Sequence, residues 1–185
     1  MKTYSLQLRI WHWLHAITVL GLLGTFFLRK TFLSWRANSE ILMAKLAEFD
    51  IVVTADQAKA LAKAVRAPMW EWHIILGFVF AALVLWRLVM IVKDGFGYSA
   101  EDTHMKLVHL GYKVIYVVLT FMAISGIVIY LYQDIGLTKD TAHSIKEIHE
   151  LTAWGVAGFV IMHIAGVFVA DNQDQKGIVS RMISG

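Results

Sequence analysis

Long apolar runs alternate with polar connections along the chain, and four of the runs are long enough to cross a bilayer. They cover residues 10–28, 72–92, 107–132 and 148–170. Each has about 19 to 26 residues, against the ~20 that ~30 Å of hydrocarbon requires. Backbone facing lipid must satisfy its own hydrogen bonds, so each run is expected to be a helix. The pattern predicts an all-α fold, a single transmembrane domain over 1–185 built as an up-down four-helix bundle. Trp11, Trp13, Trp70, Trp72, Tyr130, Tyr132 and Trp154 stand near the run ends, where interfacial aromatics belong.

The first connection, 29–71, is a long polar insert with two helical patterns of its own. Over 39–49, Ile41, Leu42, Leu46 and Phe49 share a face; over 55–67 the stretch is rich in alanine and lysine, with Thr54 or Asp56 placed to cap it. The second helix is expected in water or on the headgroups. The insert could serve as a docking surface or as a spacer. The connection 93–106 carries the turn-like run KDGFGYS, and 133–147 is short and polar.

Composition strengthens the membrane assignment: 58% of the 185 residues are hydrophobic and only one is proline, Pro68. The 17 Lys and Arg exceed the 14 Asp and Glu by three, too small an excess to imply a nucleic-acid partner. Positive charges do not fix the orientation, since eight would lie on the side of the N-terminus and nine on the other. The N-terminal stretch lacks a small-x-small cleavage site after its apolar run and is expected to be a retained first span. There is no cysteine, which removes disulfides, thiolate metal sites and covalently attached c-type haem.

Against that background the eight histidines stand out. His149 and His163 are fourteen residues apart in the fourth run, about 21 Å along a helix and roughly 40° short of the same direction. They project from one face near opposite membrane edges, and ionisable groups at such depths read as functional. Up-down connectivity puts His12, His15, His109 and His163 on one side, and His73 and His149 on the other. Two imidazoles on facing helices suit a b-type haem, which takes nitrogen ligands on both faces of the iron. His73 and His149 form the natural pair on their side, while His163 could pair with His12, His15 or His109. Arg87 follows His73 by fourteen residues, so it should face the bundle near His163 and offset a haem propionate. Gly21, Gly24, Gly77, Gly126, Gly155, Gly158 and Gly166 could admit a flat macrocycle or simply allow close helix packing. His104 and His143 are read as loop residues. Met90, Met122 and Met162 could serve as axial ligands, but Met on an apolar helix is usually packing.

The segments RIWHWLHA (9–16), WHIILGFVFAALVLWRL (72–88), LVHLGYKVIY (107–116) and SIKEIHELTAWGVAGFVIMHIAGV (144–167) together resemble the bacterial cytochrome b-561 type. These are small four-helix di-haem membrane cytochromes, similar in pattern to the b-type cytochrome subunit of nickel-iron hydrogenases. The resemblance implies two haem b groups, one held by His12 and His163 and the other by His73 and His149. It thereby selects His12 over His15, and it matches Arg87 to an arginine in the same helix of family members. It also implies a bacterial inner membrane location with a cytoplasmic N-terminus. The long insert departs from the smallest members, which leaves the redox partner open.

The expected function is electron transfer across the bilayer between a periplasmic donor and the quinone pool. The donor would be a partner such as a hydrogenase or another periplasmic oxidoreductase, and a homodimer is compatible with this role. His15, His109 and Lys113 are candidates for a quinone or proton role, and no residue is assigned as catalytic. One alternative is a self-contained superoxide-oxidising or ferric-reducing enzyme, using the basic insert to attract an anionic substrate. Another is a metal or proton transporter that uses the histidines without haem.

Overall fold

The computed structural model describes residues 4–95, 103–173 and 175–185; positions 96–99 of the KDGFGYS run lie outside them. Among the described residues the chain forms α1 (Leu6–Lys30), α2 (Trp35–Ala47), α3 (Ala55–Asp94), α4 (Thr103–Leu131), α5 (Lys139–Asn172) and α6 (Ile178–Ser184), with no strand. Four of these helices, α1, α3, α4 and α5, are long and apolar enough to span a membrane. The fold is therefore all-α with four membrane-type helices, as the apolar runs predict.

The largest difference from expectation is α3. The segments 55–67 and 72–92 belong to one helix of 40 residues that runs through Pro68. Proline inside a helix costs about 3 kcal/mol relative to alanine. Here the preceding stretch is dense in strong helix formers, and Ala58, Ala62 and Met69 are buried on one face, which holds the helix together across the break. Its start is a capping box: the Gln57 amide donates to Thr54 Oγ1 (3.3 Å) and the Thr54 amide to Gln57 Oε1 (2.8 Å). Of the two candidate caps, Thr54 is the one used.

Helix α2 begins earlier than its apolar face suggests, at Trp35, and ends before Phe49; Asp50 then turns the chain with a positive φ of 58°. Both α4 and α5 extend beyond their apolar runs. His104 and His143 thus fall inside helices rather than loops, and His143 faces Glu147 at 3.5 Å on the exposed surface. Helix α5 starts at the Thr138 N-cap, whose hydroxyl accepts from the Thr141 amide at 3.2 Å.

The chain divides into two compact units, Met1–Ile17 with Gly77–Gly185, and Thr18–Leu76. In the first, α4 packs along α5 and α5 against α6. Its core is Trp11, Leu83 and Met90, with Leu8, Trp86 and Tyr116 packed around them. Trp11 is 6% exposed and its indole N–H donates to the Leu83 carbonyl at 2.8 Å, so it is a core residue and not the interfacial anchor its position near the run end suggested. The last carbonyls of α6 accept from α1: Arg9 Nη2 to Ile183 O and Trp13 Nε1 to Met182 O, both 3.1 Å. Those bonds satisfy acceptors that a helix C-terminus otherwise leaves open.

In the second unit the end of α1 packs on the first half of α3, with Gly21 allowing the Leu76 side chain to approach to 3.0 Å of where a Cβ would lie. At the start of α2, the Trp35 ring carries Arg36 at 4.7 Å and Lys59, from α3, at 5.1 Å.

Candidate cofactor sites

Helix α5 carries His149 near its start and His163 near its end. At the His163 end, α1 and α4 converge. The rings of His12 and His163 have centroids 6.2 Å apart. Phe159, one turn earlier on α5, stacks on His163 (5.7 Å, 13°), and Tyr112 of α4 meets it edge-on at 6.3 Å. Trp13 lies edge-on to His12 at 5.4 Å. Aromatic packing therefore holds these two imidazoles in place.

The separation can be tested against a shared metal. An imidazole nitrogen binds a transition-metal ion at about 2 Å, and the ring centroid lies ~1.1 Å behind it, so two rings on opposite sides of one ion are about 6.3 Å apart. The centroid separation of the pair in α1 and α5 matches that spacing, with the rings inclined at 58°. Among the described residues no three His, Cys, Asp or Glu side chains form a metal-binding group. Two imidazoles would suit a metal whose other positions are filled from outside the protein, as in haem.

Arg87 is 7% exposed, and its Nε donates to the Tyr116 hydroxyl at 3.1 Å. Its guanidinium sits over the Trp11 ring (5.4 Å) and the Tyr116 ring (5.3 Å). No carboxylate partner accompanies it among the described residues. A buried cation held only by a hydroxyl and two π faces is suited to an anion from a bound group. His15 is also buried, at 8% exposed, stacked on Trp11 (4.8 Å) and beside Phe80 (5.2 Å), with neither ring nitrogen hydrogen-bonded. His109 and Lys113 lie one turn apart on α4, half-buried and exposed respectively.

At the other end of α5, His149 Nδ1 lies 2.8 Å from Ser125 Oγ of α4. Ser125 already donates its proton to the Phe121 carbonyl at 2.7 Å, so its oxygen accepts from His149 Nδ1–H. That bond assigns the proton to Nδ1 and leaves Nε2 with its lone pair, the arrangement that outer hydrogen bonds impose on metal-ligating histidines. Gly126 faces the ring: a Cβ at that position would lie 3.4 Å from the imidazole Cε1, at the edge of ordinary contact.

His73, in the second unit, is held in the same way. Thr25 Oγ1 donates to the Leu22 carbonyl at 2.7 Å and lies 2.7 Å from His73 Nδ1, so it accepts there and sets the orientation of the ring. Trp70 meets the His73 ring edge-on at 5.5 Å, and the Arg29 guanidinium lies over Trp70 at 5.6 Å.

Thr25 and Ser125 escaped the sequence reading. The available signal was a hydroxyl inside an apolar span, which is ambiguous because Ser and Thr also bond back to their own helix, as both do here.

Four membrane-type helices with histidines among them define a class, the helical membrane proteins. The chain belongs to the prokaryotic cytochrome b561 family, whose model matches residues 3–185. No curated protein and no solved structure matches it. Membership makes it a membrane b-type cytochrome: it binds haem b and carries electrons.

Proposed function

We propose that the protein binds two b haems and transfers electrons across the bacterial inner membrane between a periplasmic donor and the quinone pool. The observation that supports this most strongly is the 6.2 Å pair His12 and His163, set among apolar helices at the spacing of two axial ligands. His73 and His149 are the ligands of the second haem. Each has its Nδ1 engaged by a hydroxyl, which orients the ring and raises the basicity of Nε2.

Haem supplies a one-electron iron couple near each face of the membrane. The protein supplies the rest. Its imidazoles would hold the iron through nitrogen, its apolar helices exclude water, and Arg87 would offset a propionate at the His12 and His163 site. A quinone would bind near that site, with His15, His109 and Lys113 as the groups able to move its protons. With the N-terminus in the cytoplasm, quinone chemistry falls on the cytoplasmic side and the donor docks on the periplasmic side. The donor is a redox protein such as a hydrogenase or another periplasmic oxidoreductase.

A reduced-minus-oxidised spectrum with a haem count on the purified protein tests the proposal. Two b haems per chain are expected, and one haem or none would contradict it. Reduction only in the presence of a partner enzyme supports the subunit role. Steady turnover of superoxide or ferric chelates by the protein alone would replace it with a self-contained oxidoreductase.

A further inference from the structure

Both ends of α5 lie in the first unit, and they hold their histidines in different electrical settings. Near the start, His149 Nδ1–H donates to Ser125 Oγ at 2.8 Å, and Ser125 in turn donates to the Phe121 carbonyl at 2.7 Å. The imidazole is therefore polarised by two hydrogen bonds in series that end on a backbone carbonyl. Near the end, His163 packs against rings, those of Phe159, Tyr112 and His12. Neither imidazole of the His12 and His163 pair makes a hydrogen bond among the described residues.

Charge differs in the same sense. The buried Arg87 guanidinium sits 5.4 Å over Trp11, the chain neighbour of His12. Its Nε donates at 3.1 Å to Tyr116, one turn along α4 from the Tyr112 that meets His163. A cation thus stands beside both segments that form this pair, at a depth where low dielectric preserves its field. In the second unit Arg29 lies over Trp70 at 5.6 Å, but it is half-buried in the last turn of α1, where water and salt screen it more.

A nitrogen ligand whose far N–H is hydrogen-bonded gives more electron density to a metal and favours its oxidised state. A buried cation nearby favours the reduced, less positive state. Both effects make the start of α5 the weaker place for an electron and its end the stronger one.

We propose that Ser125 and Arg87 set the two haem sites apart in potential, the His149 site lower and the His12 and His163 site higher. The assignment rests on the haem reading above and gives it a direction. An electron received at the start of α5 runs downhill to its end. The electron lost at the first site is the one gained at the second, so no further reactant is needed.

The test is a redox titration of the full-length, haem-loaded protein as wild type, H163A and H149A. The haem kept by H163A should have a midpoint below that of the haem kept by H149A, by about tenfold in the oxidised-to-reduced ratio at fixed potential, ~59 mV for one electron. S125A should raise the lower midpoint by about threefold in that ratio without moving the higher one, and S125T should stay near wild type. R87Q should lower the higher midpoint alone, with R87K near wild type. If H163A or H149A loses both haems, the order is read from S125A and R87Q. The midpoint that S125A moves or abolishes must then be the lower of the two, and the one that R87Q moves or abolishes the higher.

Two haems with equal midpoints or the reverse order would overturn the proposal and leave the ligand assignment intact. So would S125A and R87Q acting on the same haem, or on neither. A wild-type protein without two haems would instead remove the ligand assignment itself.

Discussion

The two ends of α5 hold their histidines by different means. At His149 a neighbouring helix supplies a hydroxyl and a glycine, so the ring is fixed by a hydrogen bond to Nδ1 and lies close against the backbone at 126. At His163 the surroundings are rings: Phe159, Tyr112 and the facing His12. A hydrogen bond sets both orientation and tautomer, whereas stacking sets orientation alone. The first end therefore fixes a single histidine by a hydrogen bond, and the second brings two histidines together with their rings inclined at 58°. Substitutions at the first should act electronically on one haem, and those at the second chiefly through packing.

The comparison breaks most sharply at Gly126. Gly126→Leu would drive a branched side chain toward the His149 ring, and the expected result is loss of one haem with the haem proposed for His12 and His163 retained, read by haem count and spectrum. Retention of both would show that the close approach is incidental. Ser125→Ala is milder. It strands the His149 Nδ1–H and should weaken retention of that haem about 10- to 100-fold, measured by haem transfer to an apoprotein acceptor. Phe159→Leu keeps an apolar contact at His163 and should change retention of the other haem less than Ser125→Ala changes that at His149; the reverse order would undo the distinction. The smallest effect is expected from Tyr116→Phe, which removes the hydroxyl that accepts from Arg87 Nε and should cost about 1 kcal/mol in unfolding stability with both haems kept.

Much of this arrangement is legible in the residue pattern, and the limits are physical. Spans follow from apolar length, and the histidine ladder follows from helical repeat and alternating direction, which is how His12 and His163 could be expected at one depth. The continuity of α3 through Pro68 was hidden because the proline penalty is local while the burial of Ala58, Ala62 and Met69 that offsets it is tertiary. Trp11 was misplaced for a similar reason: an indole at a run end reads as an anchor until a carbonyl such as that of Leu83 is found to accept from it. The C-terminal helix α6 is too short to announce itself by periodicity and is tied down by Arg9 and Trp13, some 170 positions away in sequence. Thr25 and Ser125 act on histidines 48 and 24 residues distant, contacts that no local pattern encodes.

The central claim is that each end of α5 contributes one axial ligand to a separate haem. The most direct measurement is the haem content of His149→Ala and His163→Ala, each purified at full length beside wild type. The account predicts two haems in wild type and one in each variant, with different spectra for the haem that remains. Two haems retained in either variant, or both lost in each, would contradict it.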